Sequence, residues 1–264
     1  MNMSGITWTH LESMQINNNI PLLNLLIVFG LIFIAGIIFS LPLLEFDYKK
    51  SLKSSLFIKI FFWIPIFMIF VAVLYSTSFD RTVLLVLLLI VSFLEFRFKL
   101  KKSENKVIAY AYFFLFAIGL GHLLLLGLFF DKFFVNLLIT LCFATAVSDS
   151  TAYLFGKYFG KHKLPEWINN SKSREGVIGQ LLGSLVGVLL VNLLITPVVT
   201  LWVFLPIEIG CIIGDLTNSF AKRNVHTDNW SRAIPGHGGF IDRLCSLAGS
   251  ALLMFYFLLL TRLL

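Results

Sequence analysis

Three aspartates stand at the ends of long apolar runs, where a charge is expensive: Asp149, Asp215 and Asp242. An acid at the centre of a membrane-spanning helix costs roughly 2.5–3.5 kcal/mol. The stretch Gly214-Asp215-Leu216-Thr217-Asn218-Ser219-Phe220-Ala221-Lys222-Arg223 has helical spacing that stacks Asp215, Ser219 and Lys222 on one stripe. An acid, a hydroxyl and an amine thereby share a face. Downstream, Pro235-Gly236-His237-Gly238-Gly239 supplies glycines that admit positive φ and let backbone N–H groups approach an anion, and Asp242-Arg243 follow at once. Taken singly, a Gly-rich turn before a helix is commonly only a turn, and Asp242 suits a helix cap. In combination these residues describe a polyphosphate site, with carboxylates for a hard divalent cation and Lys, Arg and backbone dipoles for phosphate oxygens.

The elements that must position them are helices in a bilayer. The chain has 264 residues, 58% hydrophobic and only 13% charged, about half the roughly 25% charge of a soluble domain. That composition excludes a soluble cytosolic enzyme, a nucleic-acid-binding domain and a disulfide scaffold. Apolar windows predict eight spans, at 22–44, 55–76, 82–97, 107–130, 133–155, 177–195, 198–219 and 240–261. The fold class is all-α, a polytopic transmembrane bundle with a polar site facing the cytoplasm. Residues 1–20 lack a basic n-region and hold His10 and Glu12, so the first span is expected to be an uncleaved anchor. Cys142, Cys211 and Cys245 lie in or beside apolar segments without metal-ligand spacing and read as buried thiols.

Charge placement orients the bundle. Lys49, Lys50 and Lys53 follow the first span; Arg97, Lys99, Lys101, Lys102 and Lys106 surround the third connection. Lys157, Lys161, Lys163, Lys172 and Arg174 lie in the fifth connection, and Lys222, Arg223 and Arg232 in the seventh. By the positive-inside rule these odd connections face the cytoplasm and both termini face away. The net charge of +7 is therefore topological, and no nucleic-acid partner is required. Up to about Asp131 the spans are plain Leu, Ile and Phe, whereas afterwards Gly, Ser, Asp and amides enter them. Residues 1–132 read as a transmembrane scaffold and 133–264 as the catalytic region of one integrated membrane domain. Gly179, Gly183, Ser184 and Gly187 suit close helix packing.

The run from Ser219 to Ser246, SFAKRNVHTDNWSRAIPGHGGFIDRLCS, resembles the signature of the phosphatidate cytidylyltransferase (CDP-diacylglycerol synthase) family. That pattern is Ser, two residues, Lys-Arg, four residues, Lys-Asp, a loop ending His-Gly-Gly, two residues, Asp-Arg, one residue, Asp. Ser219, Lys222, Arg223, His237, Gly238, Gly239, Asp242 and Arg243 match it, and Gly214-Asp215-Leu216 resembles the preceding Gly-Asp-Leu. A second block, Ser148-Asp149-Ser150-Thr151-Ala152-Tyr153 with Gly156 and Phe159-Gly160-Lys161-His162-Lys163-Leu164, is similar to the family's Asp-Thr-x-Ala-Tyr segment and glycine loop. Lys172 and Glu175-Gly176 resemble the end of its Lys-Thr-x-Glu-Gly segment. The resemblance covers roughly residues 145–250. This chain departs from the pattern with Asp228-Asn229 in place of Lys-Asp and Cys245 in place of the final aspartate, which marks an atypical member. Cys245 removes a carboxylate beside Asp242, and a thiol binds magnesium poorly.

The resemblance implies transfer of a cytidylyl group from CTP to phosphatidic acid, giving CDP-diacylglycerol and pyrophosphate in phospholipid biosynthesis. It implies Mg²⁺ on Asp215 and Asp242, with Asp149 a third or outer acid, and Lys222, Arg223 and Arg243 on phosphates. His237 would either donate to the leaving pyrophosphate or brace the glycine loop; Ser219, Gly238 and Gly239 would line the substrate. Lys172 and Glu175 are site-organising candidates, or a surface pair. The implied partners are CTP, phosphatidic acid or a related lipid phosphate, membrane lipids and, in a homodimer, a second copy; the implied location is the bacterial inner membrane. Three alternatives stand beside this reading. They are a related CTP-dependent enzyme acting on another lipid phosphate or a polyprenol, a catalytically impaired lipid- or nucleotide-binding paralogue, and a transporter. The last would place acids near the midplane in both halves.

Overall fold

A computed structural model describes residues 22–43, 55–100, 106–130, 133–166, 172–195, 201–234 and 238–263. These residues form eight α-helices and no strand. The helices are α1 (Leu22–Ser40), α2 (Ser55–Leu74), α3 (Ser78–Leu100), α4 (Val107–Phe129), α5 (Phe134–Tyr158), α6 (Arg174–Leu194), α7 (Phe204–Asn224) and α8 (Phe240–Leu263). Each predicted span corresponds to one of them. Six are long and apolar enough to cross a membrane: α1, α4, α5, α6, α8, and α7 with its leading 3-10 turn, Leu201–Val203. The apolar part of α2 is shorter, Ile60–Leu74, and α3 carries Asp80, Arg81, Glu95, Arg97 and Lys99.

Boundary shifts have local causes. The third helix begins at Ser78 rather than residue 82 because Thr77 and Asp80 cap it reciprocally: Thr77 Oγ1 accepts Asp80 N–H at 3.2 Å, and Asp80 Oδ2 accepts Thr77 N–H at 3.1 Å. Arg81 then donates to the carbonyls of Val73, Leu74 and Ser76, which terminates α2 and fixes the corner. Ser173 caps α6, accepting Gly176 N–H at 3.1 Å, so that helix starts three residues before its apolar window. The predicted 198–219 span is displaced to Phe204–Asn224, with 198–200 outside the described residues. Lys222 and Arg223 in its last turn favour the longer helix. It closes at His226, whose φ is 52°, with Thr227 N–H on the Lys222 carbonyl.

Two helix pairs dominate the packing, α5 with α6 and α7 with α8. Small residues make both possible. A Cβ on Gly187 would lie 2.7 Å from Ala144 Cα, and one on Gly183 would lie 2.9 Å from Ser148 Cα. Across the second pair, a Cβ on Gly210 would meet Ser250 Cα at 2.6 Å, and one on Gly214 would strike the Cys245 carbonyl. Backbones therefore approach closely, as small-residue membrane interfaces allow. Helix α4 packs on α8 at Gly119 and Ala248. Helices α1 and α2 join α5 and α6 through Leu25, Val28, Phe67, Leu138, Phe143 and Val191. Residues of both sequence halves thus pack together in each hydrophobic cluster.

Gly187→Ala should require backbone separation of α5 and α6 and cost about 1–3 kcal/mol. Gly121→Ala, where nothing lies within 4 Å of the added methyl, should stabilise by up to about 1 kcal/mol through helix propensity. Thermal unfolding in detergent checks the opposite signs.

Candidate active site

Four separate segments bring polar groups to one end of the bundle. Asp149 comes from α5, Lys172 from the segment before α6, Asp215 and Lys222 from α7, and Asp242 and Arg243 from α8. Lys172 is held by short-range pairing: Leu164 N–H donates to its carbonyl at 2.9 Å, and Arg174 N–H to the His162 carbonyl at 2.9 Å. Its ammonium forms an ion pair with Asp215. Asp149 lies beside α7, where Cys211 Sγ is 3.7 Å from its Oδ1. Ser246 Oγ donates to Asp149 Oδ1 at 3.3 Å.

Asp242 is placed differently. Its side chain is 2% exposed, and Lys222 Nζ lies 2.7 Å from Oδ1. The other oxygen, Oδ2, accepts the backbone N–H groups of Trp230 at 2.9 Å and Gly239 at 3.0 Å. Asp242 thus closes the start of α8 and ties the preceding loop to α7. Gly238, at φ 86°, leaves room for this, since a Cβ there would come within 2.9 Å of Oδ2. Trp230 is fully buried, and its indole N–H donates to Asn218 Oδ1 at 2.7 Å. Asn218 Nδ2 in turn points to Cys245 Sγ at 3.4 Å, so a thiol fills the position beneath Asp242.

The remaining predicted residues divide. Ser219 is buried on α7. Arg223 pairs with Asp228 at 2.8 Å on the exposed side, so the aspartate that departs from the expected loop lysine lies on one of the expected phosphate ligands. Glu175 faces the 159–164 loop, accepting His162 N–H at 3.2 Å with the imidazole Nδ1 at 2.5 Å. Gly239 sits against Glu95 and Ser231 as well as Asp242. His237, with Pro235 and Gly236, lies outside the described residues. Among the described residues no three His, Cys, Asp or Glu side chains converge as metal ligands. The carboxylates that suit a hard cation are those of Asp149, Asp215 and Asp242, with Lys172 paired to Asp215 and Lys222 to Asp242 Oδ1.

The sequence profile of the cytidylyltransferase family matches residues 15–261. The chain belongs to the cytidylyltransferase family. Similar proteins include the phosphatidate cytidylyltransferase of Staphylococcus saprophyticus, 35% identical over 104 residues, covering 38% of this chain and 40% of that protein. The phosphatidate cytidylyltransferase of Haemophilus influenzae is 35% identical over 118 residues, 42% of this chain and 41% of its own. A protein of Escherichia coli K12 called YnbB, described as uncharacterized, is 33% identical over 125 residues, 46% of this chain and 42% of its own. The matched segment therefore spans about two fifths of each relative's length.

Two acids of this family member escape the spacing argument. Glu208, on α7, is fully buried; Ser148 Oγ donates to its Oε2 at 2.8 Å, while Oε1 has no hydrogen-bond partner among the described residues. Glu95, on α3, accepts Ser231 Oγ at 2.6 Å and Phe240 N–H at 2.9 Å. A carboxylate inside an apolar run is itself a signal and points to both.

Truncating Asp242 to Ala would strand Lys222 and two backbone donors in a buried site, costing about 3–5 kcal/mol. Asp215→Ala removes one ion pair and should cost about 1–3 kcal/mol, less than Asp242→Ala, which loses three partners. Equal thermal stabilities for the two variants would refute this division of roles.

Proposed function

We propose that this protein transfers the cytidylyl group of CTP to phosphatidic acid, giving CDP-diacylglycerol and pyrophosphate. The observation that carries the reading is the joining of Lys172, from the segment before α6, to Asp215 of α7 and of Lys222 of α7 to Asp242 of α8 at one end of a membrane bundle, in a chain of the cytidylyltransferase family. The relatives named phosphatidate cytidylyltransferase support the choice of acceptor.

The chemistry needs no activated serine or cysteine. The acceptor phosphate is already anionic: its oxygen bonds to the α-phosphorus of CTP as the bond to the bridging oxygen of the β-phosphate breaks. Pyrophosphate leaves with that electron pair. Catalysis is then charge neutralisation and in-line positioning. Lys172, Lys222 and Arg243 would face phosphate oxygens, Arg243 with two donors at once. Asp215 and Asp242 would hold Mg²⁺ beside Asp149, and the bound ion would offset charge on the triphosphate. Lys222 would pass from Asp242 to a phosphate on nucleotide binding, which frees Oδ1. A diacyl acceptor stays in the bilayer while soluble CTP approaches from the basic, cytoplasmic side of the inner membrane.

A second reading, a catalytically impaired paralogue, is favoured by the Arg223–Asp228 pair and by the buried thiol of Cys245. Purified protein in mixed micelles with CTP, phosphatidic acid and Mg²⁺ should release pyrophosphate. Chelation should stop it, and Asp215→Asn should lower kcat by about 100-fold or more. An inactive parent that gains turnover through Cys245→Asp decides for the impaired paralogue; substitution of other lipid phosphates or a polyprenol for phosphatidic acid tests the acceptor.

A further inference from the structure

Away from the carboxylates, a groove of about 540 Å³ opens between the C-terminal end of α3 and the loop before α8, within the roughly 300–1,000 Å³ of ligand pockets. Leu94 and Phe98 form its α3 wall, 60% and 69% exposed, and Trp230 backs it. Lys99 and Arg232 line the same groove. Neither has an ion pair among the described residues, which sets them apart from Lys172, Lys222 and Arg223. Glu95, the acid of the groove, is already satisfied by Ser231 Oγ and by the N–H groups of Phe240 and Ile241 at the positive start of α8.

The surroundings select the kind of anion. The outward face of α3 continues from the groove along exposed Leu87, Ile90 and Phe93, a surface suited to acyl chains. Its last turn is basic, with Arg97 and Lys99, as at a membrane surface of anionic headgroups. A free nucleotide would leave the apolar wall wet, and a zwitterionic lipid would bring its own ammonium against the two cations of the groove. We propose that this groove seats an anionic phospholipid, its phosphate between Lys99 and Arg232 and an acyl chain along Leu94 and Phe98. The occupied groove shares Trp230 and Ser231 with the loop that Asp242 and Glu95 hold. Binding there requires neither CTP nor turnover.

Phosphatidylglycerol serves as the probe because it has no phosphate monoester to accept a cytidylyl group. Delipidated full-length protein in detergent should bind it in preference to phosphatidylcholine, and the double variant Lys99→Gln, Arg232→Gln should weaken that binding by at least about tenfold. Lys99→Arg with Arg232→Lys should restore it. In a separate measurement on otherwise unaltered protein, bimane attached to Leu94→Cys should be quenched more by phosphatidylglycerol with brominated acyl chains than by brominated phosphatidylcholine. Equal quenching by the two lipids overturns the proposal. So does undiminished binding in a folded double variant, or displacement by inorganic phosphate at matched concentration. An inactive enzyme that still shows the preference separates this site from the transfer reaction.

Discussion

The Asp242 carboxylate is the point from which the polar end of the molecule is built. One oxygen holds Lys222 of α7, the other two backbone donors of the loop that leads into α8, and the side chain is 2% exposed. Charge-assisted bonds in such a site are strong, and losing a partner is correspondingly costly. Glu95 completes the arrangement from α3, accepting donors at Phe240 and Ile241. The free N–H groups at the start of α8 are thus spread over two carboxylates from distant parts of the chain. Asp242 therefore has a structural duty in addition to any it has toward a cation.

Close helix approach gives that fixed point its neighbours. Glycines at 183 and 187 bring α5 against α6, and glycines at 210, 214 and 249 bring α7 against α8. Larger residues would push α6 from α5 and α8 from α7. The same closeness lets hydroxyls satisfy groups that lipid cannot: Ser250 donates to the Ile207 carbonyl at 2.7 Å and Ser148 to Glu208. Glu208 extends the acidic region toward the interior of the bundle, where its second oxygen has no hydrogen-bond partner among the described residues.

A composition boundary near residue 132 separates plain apolar spans from polar ones, yet the site draws on both sides. Phe96 and Tyr112 pack on Trp230, with ring centroids 5.5 and 6.0 Å away, and Glu95 grips the same loop. The apolar first half was legible as helices from hydropathy alone. Its contribution to the site was not, because the apolar run flags Glu95 as a costly acid but does not say which loop it will hold. Among the second-half residues, the helical spacing of Asp215, Ser219 and Lys222 placed them on α7. It left open that Lys222 would face Asp242 while Asp215 faces Lys172.

Hydropathy by itself determined the eight helices, and motif spacing the family, because both are carried within segments of about twenty residues where burial cost and periodicity act locally. The partners of each charge were decided only in three dimensions. Glu95 meets Phe240 across 145 residues of chain, and Glu175 turns to His162 rather than to the acids. Such pairings depend on the angle and depth at which separate helices meet, set by glycine contacts and buried hydrogen bonds that no one segment contains.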